Sequence, residues 1–322
     1  MKIGMIGYGE MGAYHRRELL RFGGITPVAA YDIAEAAARK IAEDGLYSAP
    51  SVQSLLEADL DAVLIATPND AHADYVIAAA KAGKHIFCET PAAMNVAQYR
   101  EMRRAAEDAG VTLFVNRAHL FRKDFLTAEK LLKEKRLGKI YRIESREFAS
   151  GNAFEGWRAC RARGGGMLLN KGVPLIEQAL KLGNYDSFVC TRFFVGPGEA
   201  EDGFELRLHG KIEYQITVDS HVFVRRPRWM IYGSAGTACL DEAGNGEIRC
   251  TKNAADSAPK GEEVISVSLK GEAGDEFAAY RLFLQSIQSA STQPAFDFKE
   301  RVLSMVSDMC AHAHNVFGGE IA

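Results

Sequence analysis

A chain of 322 residues, 47% hydrophobic and 25% charged, exceeds one ordinary domain and carries ample apolar surface, so two folded domains are expected and disorder is excluded as the default. The 39 Lys+Arg against 42 Asp+Glu leave a net charge of −3, and no strong field favours nucleic acid or an anionic membrane as partner. The six cysteines (Cys88, Cys160, Cys190, Cys239, Cys250, Cys310) form no CxxC pair and no zinc-ligand spacing. That argues against a disulfide framework and a metal site, and for reduced thiols in the cytoplasm.

In chain order, the N-terminal MKIGMIGYGEMG is broken by glycines and lacks the apolar core of a signal peptide; no run of about 18 apolar residues follows, so a membrane anchor is not expected. Lys2–Ile6 reads as a strand, Met11–Phe22 as a helix, Thr26–Tyr31 as a strand and Ala34–Asp44 as a helix. Ala62–Ala66 with Asp74–Ala82, then His85–Cys88 with Val96–Ala109, continue the alternation to a strand at Val111–Val115. Strands alternating with long helices predict a doubly wound parallel sheet, the Rossmann class of α/β fold, over residues 1–120.

Residues 121–322 read differently. Ile140–Phe148, Phe188–Val195, Phe204–His209, Lys211–Phe223, Trp229–Tyr232 and Val264–Leu269 are strand-like, and FELRLHGKIEYQITV suggests a hairpin turning at Gly210. Helices are expected at Phe125–Lys135, Pro174–Leu182, Glu276–Ser289 and Phe298–Phe317, and a mobile loop at Lys252–Glu263. The sum is a second α/β domain with a large open mixed or antiparallel sheet. The Arg225, Arg226, Arg228 run reads as a solvated loop or subunit contact, and His312 and His314 diverge on the expected helix.

Gly7-Tyr-Gly9-Glu10-Met11-Gly12 closes the first strand and opens the first helix. Gly7 suits the tight turn, Gly9 a close approach of backbone to a pyrophosphate, and Gly12 close packing of helix on strand, with Glu10 and Met11 completing the loop. The helix N-terminus offers free N–H donors to the phosphates. Asp32, 20 residues after Gly12, suits the ribose hydroxyls and repels a 2′-phosphate, and Ile33 and Ala34 supply no arginine for one, so NAD is expected over NADP.

Three further stretches carry a resemblance. Thr67-Pro68-Asn69-Asp-Ala-His72, Cys88-Glu89-Thr90-Pro91 and Val115-Asn116-Arg117 each follow a strand, and Gly138-Lys-Ile140, Trp157-Arg158, Gly164-Gly165-Gly166 and Ile231-Tyr-Gly233-Ser-Ala-Gly236 follow them. In this order they resemble the Gfo/Idh/MocA oxidoreductases, the glucose–fructose oxidoreductase and inositol dehydrogenase family, over nearly the whole chain. The resemblance implies NAD(P)-dependent hydride transfer to or from a hydroxyl carbon of a sugar or polyol, and a homodimer or homotetramer. It implies that Thr67, Pro68, Asn69 and His72 line the cofactor, that Glu89 holds the nicotinamide ribose with Asn116 nearby, and that Arg117, Trp157 and Arg158 contact the substrate.

The departures bear on chemistry. Where the family has a Lys after the Glu, this chain has Thr90, and where it has an Asp and a His after the triple glycine, this chain has Asn170 and Pro174, with Glu177 one turn further. Alcohol oxidation must remove a hydroxyl proton, and none of these three side chains ionises. Lys171 is the substitute expected here, as a base whose pKa desolvation lowers, with Asn170 and Thr90 orienting the substrate; His119 is a second candidate. Pro174 suits a first helical turn, so Asn170, Lys171 and Gly172 are expected in the loop before a helix starting near Val173. Tyr14 and His15 read as packing beside the cofactor. Two other activities fit the same residues: an NAD-using glycosidase or lyase with transient oxidation, and a cofactor-binding protein without redox activity.

Overall fold

The run Ala62–Ile65 does not alternate because both its faces are covered: all four residues are buried in the middle of a parallel sheet. The computed structural model describes residues 1–148, 155–196, 198–224, 226–251, 264–289 and 295–318, with side chains left out for 295–298. The expected loop at 252–263 and Arg225 lie outside the described residues.

The chain divides into two compact units. The first holds Met1–Arg117, Ala162–Gly164 and Phe277–Ser304. Its elements run β1 (Lys2–Ile6), α1 (Glu10–Phe22), β2 (Thr26–Tyr31), α2 (Glu35–Glu43), β3 (Tyr47–Ser48), α3 (Val52–Glu57), β4 (Ala62–Ile65), α4 (His72–Lys81), β5 (His85–Cys88), α5 (Val96–Asp108) and β6 (Leu113–Val115). The strands are parallel in the order β3-β2-β1-β4-β5-β6, the doubly wound order that reverses between β1 and β4. The glycine loop after β1 and the Thr67 loop after β4 therefore leave adjacent strands at their carboxyl ends, where such sheets bind ligands.

Helix α8 (Ala278–Gln288) belongs to this first unit, although it lies far along the chain. Its Ala279, Tyr280 and Phe283 are buried in one core with Ile3, Met5, Tyr8, Leu19, Phe87 and Phe114. Aromatic stacking explains the attachment: the Phe283 ring meets Phe87 edge-on at 5.6 Å and lies 5.8 Å from Phe114.

The second unit holds Ala118–Arg161, Gly165–Glu276 and Met305–Ala322. Helix α6 (Lys123–Glu134) precedes β7 (Ile140–Phe148), and α7 (Val173–Leu182) precedes β8 (Tyr185–Phe194), β9 (Gly203–Gly210), β10 (Glu213–Asp219), β11 (Trp229–Gly233), β12 (Gly236–Leu240), β13 (Gly246–Thr251) and β14 (Val264–Leu269). After α9 (Ala295–His312) comes β15 (His314–Phe317). The described strands form a nine-stranded sheet, β14-β13-β12-β11-β7-β10-β9-β8-β15. It is mixed, with β7–β10 and β8–β15 parallel and the other pairs antiparallel. One face is buried: Tyr214, Ile216 and Val218 alternate inward along β10.

Three expectations need correction. The C-terminal helix stops at His312, and His314–Phe317 pairs with β8 instead, because the open edge of β8 offers the hydrogen bonds that a frayed last turn lacks. Strands β12 and β13 escaped the sequence pattern because Gly236, Gly244 and Gly246 break its alternation; their turns need the glycines, Gly244 having φ +79. Asn170–Gly172 is no loop: Leu168–Gly172 is a π-helical turn continuous with α7. The Pro174 ring would meet the carbonyl of Asn170 in a regular helix and brings no N–H, and the wider turn relieves that clash.

Candidate functional site

The glycine loop is shaped by what a side chain would strike. Gly7 has φ +90, and a Cβ there would lie 2.6 Å from the carbonyl oxygen of Ala66. At Gly12 it would lie 2.3 Å from the oxygen of Gly7, so this glycine lets α1 approach the turn. Gly9 is the opposite case, with nothing within 4 Å of the added atom. It is the N-cap of α1, with φ −72 and no side-chain cap, and the first N–H groups of a helix have no intrahelical acceptor. Glu10 and Met11 are exposed beside it. Asp32 accepts from Tyr8 N at 2.6 Å and from Ala34 N at 2.8 Å, which fixes its carboxylate at the mouth of the loop.

Behind the loop, Glu89 sits in a chain of polar contacts. His15 Nε2 lies 2.5 Å from Glu89 Oε1, Asn116 Nδ2 donates to the same oxygen at 2.6 Å, and Thr90 N donates to Oε2 at 3.1 Å. His15 Nδ1 lies 2.7 Å from Tyr280 OH. One ring nitrogen of His15 thus faces the carboxylate of Glu89 and the other the hydroxyl of Tyr280. Burial opposes ionisation of Glu89, but His15, Asn116 and the Thr90 N–H outweigh it and hold the carboxyl below its usual range. Thr90, joined to Pro91 by a cis peptide bond, has a buried hydroxyl with no hydrogen-bond partner among the described residues. A bound ligand is one source of the partner that a buried hydroxyl needs.

His72 is buried, with Nδ1 2.9 Å from the oxygen of Pro91 and Nε2 3.0 Å from that of Thr67. It ties the loops after β4 and β5 together, and burial holds its pKa below the usual value. Asn69 is likewise buried, donating Nδ2 to Gly164 O at 2.8 Å. Thr67 and Pro68 are half-buried on the same loop. The first unit thus gathers Gly7, Gly9, Gly12, Asp32, Thr67, Asn69, His72, Glu89, Thr90 and Asn116; half-buried Arg117 ends its first segment. A dinucleotide fits the open space at Gly9, the uncapped helix end and the orphaned Thr90 hydroxyl.

The second unit holds the other candidates. Lys171 Nζ is 2.7 Å from Glu147 Oε1, and its side chain is 40% exposed, so the isolated, desolvated amine expected from the sequence is not what forms. Burial opposes ionisation of Glu147, yet Lys171, Arg228 and Arg122 keep its carboxyl low. Asn170 turns inward on its own helix, donating Nδ2 to Gly166 O at 2.7 Å. The half-buried Trp157 has the Arg158 guanidinium 4.7 Å from its ring centre, so arginine covers one face of the indole where a sugar was expected. Gly165 N and Gly166 N donate at 2.9 Å to the oxygens of Cys160 and Arg158, which anchors that turn.

Sequence reasoning missed two groupings. His15 was read as packing; its place one helical turn beyond Gly12 was the available signal. His119 Nε2 lies 2.5 Å from Glu177 Oε2, a pairing that no spacing could show. Arg228 also differs from expectation: it is buried, with Nε 3.0 Å from Asp124, and only Arg226 of the described pair is exposed. Among the described residues, no cluster of three or more His, Cys, Asp or Glu side chains could hold a metal ion. No described helix is long and apolar enough to cross a membrane.

Two family models match the chain. Residues 1–117 match the model of the oxidoreductase family with NAD-binding Rossmann fold, and residues 125–239 match the GFO/IDH/MocA C-terminal domain. The chain belongs to the Gfo/Idh/MocA oxidoreductase family. Within it, the chain is 31% identical to the myo-inositol 2-dehydrogenase of Thermotoga maritima over 46% of each sequence. It is 32% identical to the 1,5-anhydro-D-fructose reductase of Ensifer adhaerens over 58% of this chain and 57% of that one. These matches span about half the length of the curated relatives. An NAD-binding protein from Listeria innocua has the same fold, with TM-score 0.86, 28% identity and coverage of 95% and 92% of the two chains. The Rossmann match covers the stretch that carries the glycine loop, Asp32 and the Glu89 group.

Proposed function

We propose that this chain is an NAD-dependent oxidoreductase that moves a hydride between nicotinamide and a hydroxyl carbon of a sugar, polyol or related small molecule. The observation that carries it is the open, uncapped helix end at Gly9 with Asp32 fixed beside it. Relatives named as an inositol dehydrogenase and an anhydrofructose reductase support the substrate class. Bound NAD would supply the acceptor for the hydride. Gly7, Gly9, Glu10, Met11 and Gly12 would hold its pyrophosphate and Asp32 its adenosine ribose. Thr67, Pro68, Asn69, Glu89, Thr90 and Asn116 would hold its nicotinamide end, with His72 fixing their loops. Arg117, Trp157, Arg158, Asn170 and Lys171 would bind substrate, Lys171 steadied by Glu147. In this division residues 1–120 serve the cofactor and 121–322 the substrate. The carboxylate of Asp32, followed by exposed Ile33 and not by a cation, favours NAD over NADP.

Six free cysteines support action in a reducing compartment, the cytoplasm. Exposed Val189, Val316 and Phe317 on adjacent strands β8 and β15 support a homodimer or homotetramer. The deciding experiment is calorimetric titration with NAD and NADP, followed by single-turnover mixing with pooled sugars and polyols while near-ultraviolet absorbance is recorded. NAD binding with appearance of reduced nicotinamide is expected; failure to bind either dinucleotide overturns the proposal. Thr90, Asn170 and Pro174 favour a second reading, a cofactor-binding protein without redox activity, which predicts binding and no reduction with any substrate.

A further inference from the structure

The core side of β7 carries buried Ile143 and Ser145, and the same alternation puts Glu147 on that side. Its register partner on the parallel neighbour β10 is Val218, which is buried as well. A carboxylate on the core side of a sheet needs strong compensation. Three cations of the same unit supply it. Lys171 Nζ lies 2.7 Å from Glu147 Oε1, and Arg122 Nη1 lies 3.9 Å from Oε2. Arg228 leads into β11, and its carbonyl oxygen accepts from Arg146 N at 2.9 Å, which sets it beside the end of β7. Burial opposes the charge of Glu147, and Lys171, Arg228 and Arg122 together overcome that penalty.

The two carboxylates in reach do not use all that these cations offer. An ammonium has three N–H donors, and Lys171 spends one on Glu147 while its side chain stays 40% exposed. A guanidinium has five. Arg122 donates Nε to Asp124 at 3.0 Å, meets Glu147 only as an ion pair, and is 39% exposed. Arg228 is 2% exposed; its Nε pairs with Asp124 at 3.0 Å and its Nη2 donates to Gln178 Oε1 at 3.3 Å. Its buried Nη1 has no hydrogen-bond partner among the described residues. Exposed Glu242 also acts on Arg122, more weakly than Asp124 and Glu147 do. Three cations thus share Asp124 and Glu147, and their remaining N–H groups suit a further oxyanion.

Resting on the oxidoreductase reading above, in which Lys171 binds substrate, we propose that the substrate is acidic: a sugar or polyol that carries an oxyanion, either carboxylate or phosphate. Lys171 and Arg122 donate to that oxyanion, with Arg228 as the buried charge behind them. Glu147 accepts from a hydroxyl of the same molecule. The division follows the chemistry, since cations with unspent N–H groups take the charge and a carboxylate fixed among them reads hydroxyls. A neutral sugar is the poorer guest because it leaves those donors without an anionic acceptor.

The test is calorimetric titration of the full chain, both without cofactor and with saturating NADH, which permits binding without oxidation. The probes are the sugar acids glucuronate, galacturonate and gluconate, the monophosphates of glucose and inositol, and neutral glucose, galactose and inositol. At least one acidic probe should bind about tenfold or more tighter than its neutral counterpart, and added salt should weaken it. Tightest binding among the sugar acids identifies a carboxylate, and among the monophosphates a phosphate. Lys171→Gln, at a partly exposed site, and Arg122→Gln should each cut that preference to about threefold or less. A change in charge discrimination is a result that lost packing does not produce.

Neutral probes that bind as tightly as the acidic ones overturn the proposal, and so does a preference that both variants leave intact. A panel in which no acidic probe binds in either state overturns it too. Failure to bind NAD or NADH removes the oxidoreductase reading instead, and the titrations without cofactor then decide the oxyanion site alone. Should Arg122→Gln not fold, because Arg122 also pairs with Asp124, the titration of Lys171→Gln decides.

Discussion

His15 Nε2 lies 2.5 Å from Glu89 Oε1, joining the first turns of α1 to the end of β5 through a contact in which the histidine is 2% and the glutamate 12% exposed. Sequence separates these residues by 74 positions, and the core helix α8 supplies the third member, Tyr280, on the other ring nitrogen. The chain thus fixes this buried carboxylate from three segments.

This contact predicts the acid limb of stability. The folded pKa of Glu89 lies below its unfolded value, so the group's contribution is complete above about pH 4.3 and is lost as pH falls through the folded pKa. Glu89→Gln should lower stability at pH 7, measured by urea unfolding, and should flatten its decline below about pH 4. It should also weaken NAD binding. An unaltered acid limb would show that the carboxylate is not held in this way.

The two glycines of the turn should respond in opposite ways. Gly9→Val meets open space at an ordinary φ, so the unfolding free energy should stay within about 0.5 kcal/mol of wild type while calorimetric NAD affinity is lost. Gly12→Ala drives a methyl against the Gly7 carbonyl and should destabilise the apo protein by about 1–3 kcal/mol.

Thr90→Val removes a buried hydroxyl that has no partner among the described residues and keeps the side-chain shape. The apo protein should gain about 1 kcal/mol in thermal or urea unfolding, because a desolvated donor disappears. Affinity for NAD or substrate should fall in the same variant. A gain in stability with unchanged binding would place that hydroxyl outside the ligand site.

Asp124 is 0% exposed and serves three groups: Arg228 Nε at 3.0 Å, Arg122 Nε at 3.0 Å and Trp229 Nε1 at 3.0 Å. Asp124→Asn leaves the Arg228 charge buried without its carboxylate and should cost about 3–5 kcal/mol in urea unfolding. Asp124→Asn with Arg228→Met should recover part of that loss, since it removes the stranded charge.

Much of the first unit was legible because its signals are local. β1, β2 and β5 appear at the bounds read from the sequence, since an apolar run between a helix and a glycine turn has few other ways to be satisfied. The π-helical turn at Leu168–Gly172 was not legible: Pro174 announces a helix start, and only the continuous packing of Leu168, Leu169 and Gly172 against the core keeps the chain helical through it. β12 and β13 were hidden by glycines that serve backbone approach and not side-chain burial.

The sequence by itself determined the glycine loop, the acid at the end of β2 and the alternation of strand and helix, because turn geometry and hydrophobic period act within a few residues. It also determined which ionisable groups are missing at Thr90, Asn170 and Pro174. Only the tertiary structure decided that α8 returns to the first unit, that His15 and Tyr280 meet at Glu89, and that His119 faces Glu177. Those pairings form because buried polar groups must find partners, and in a folded chain the partner that satisfies them is chosen by proximity in space rather than along the sequence.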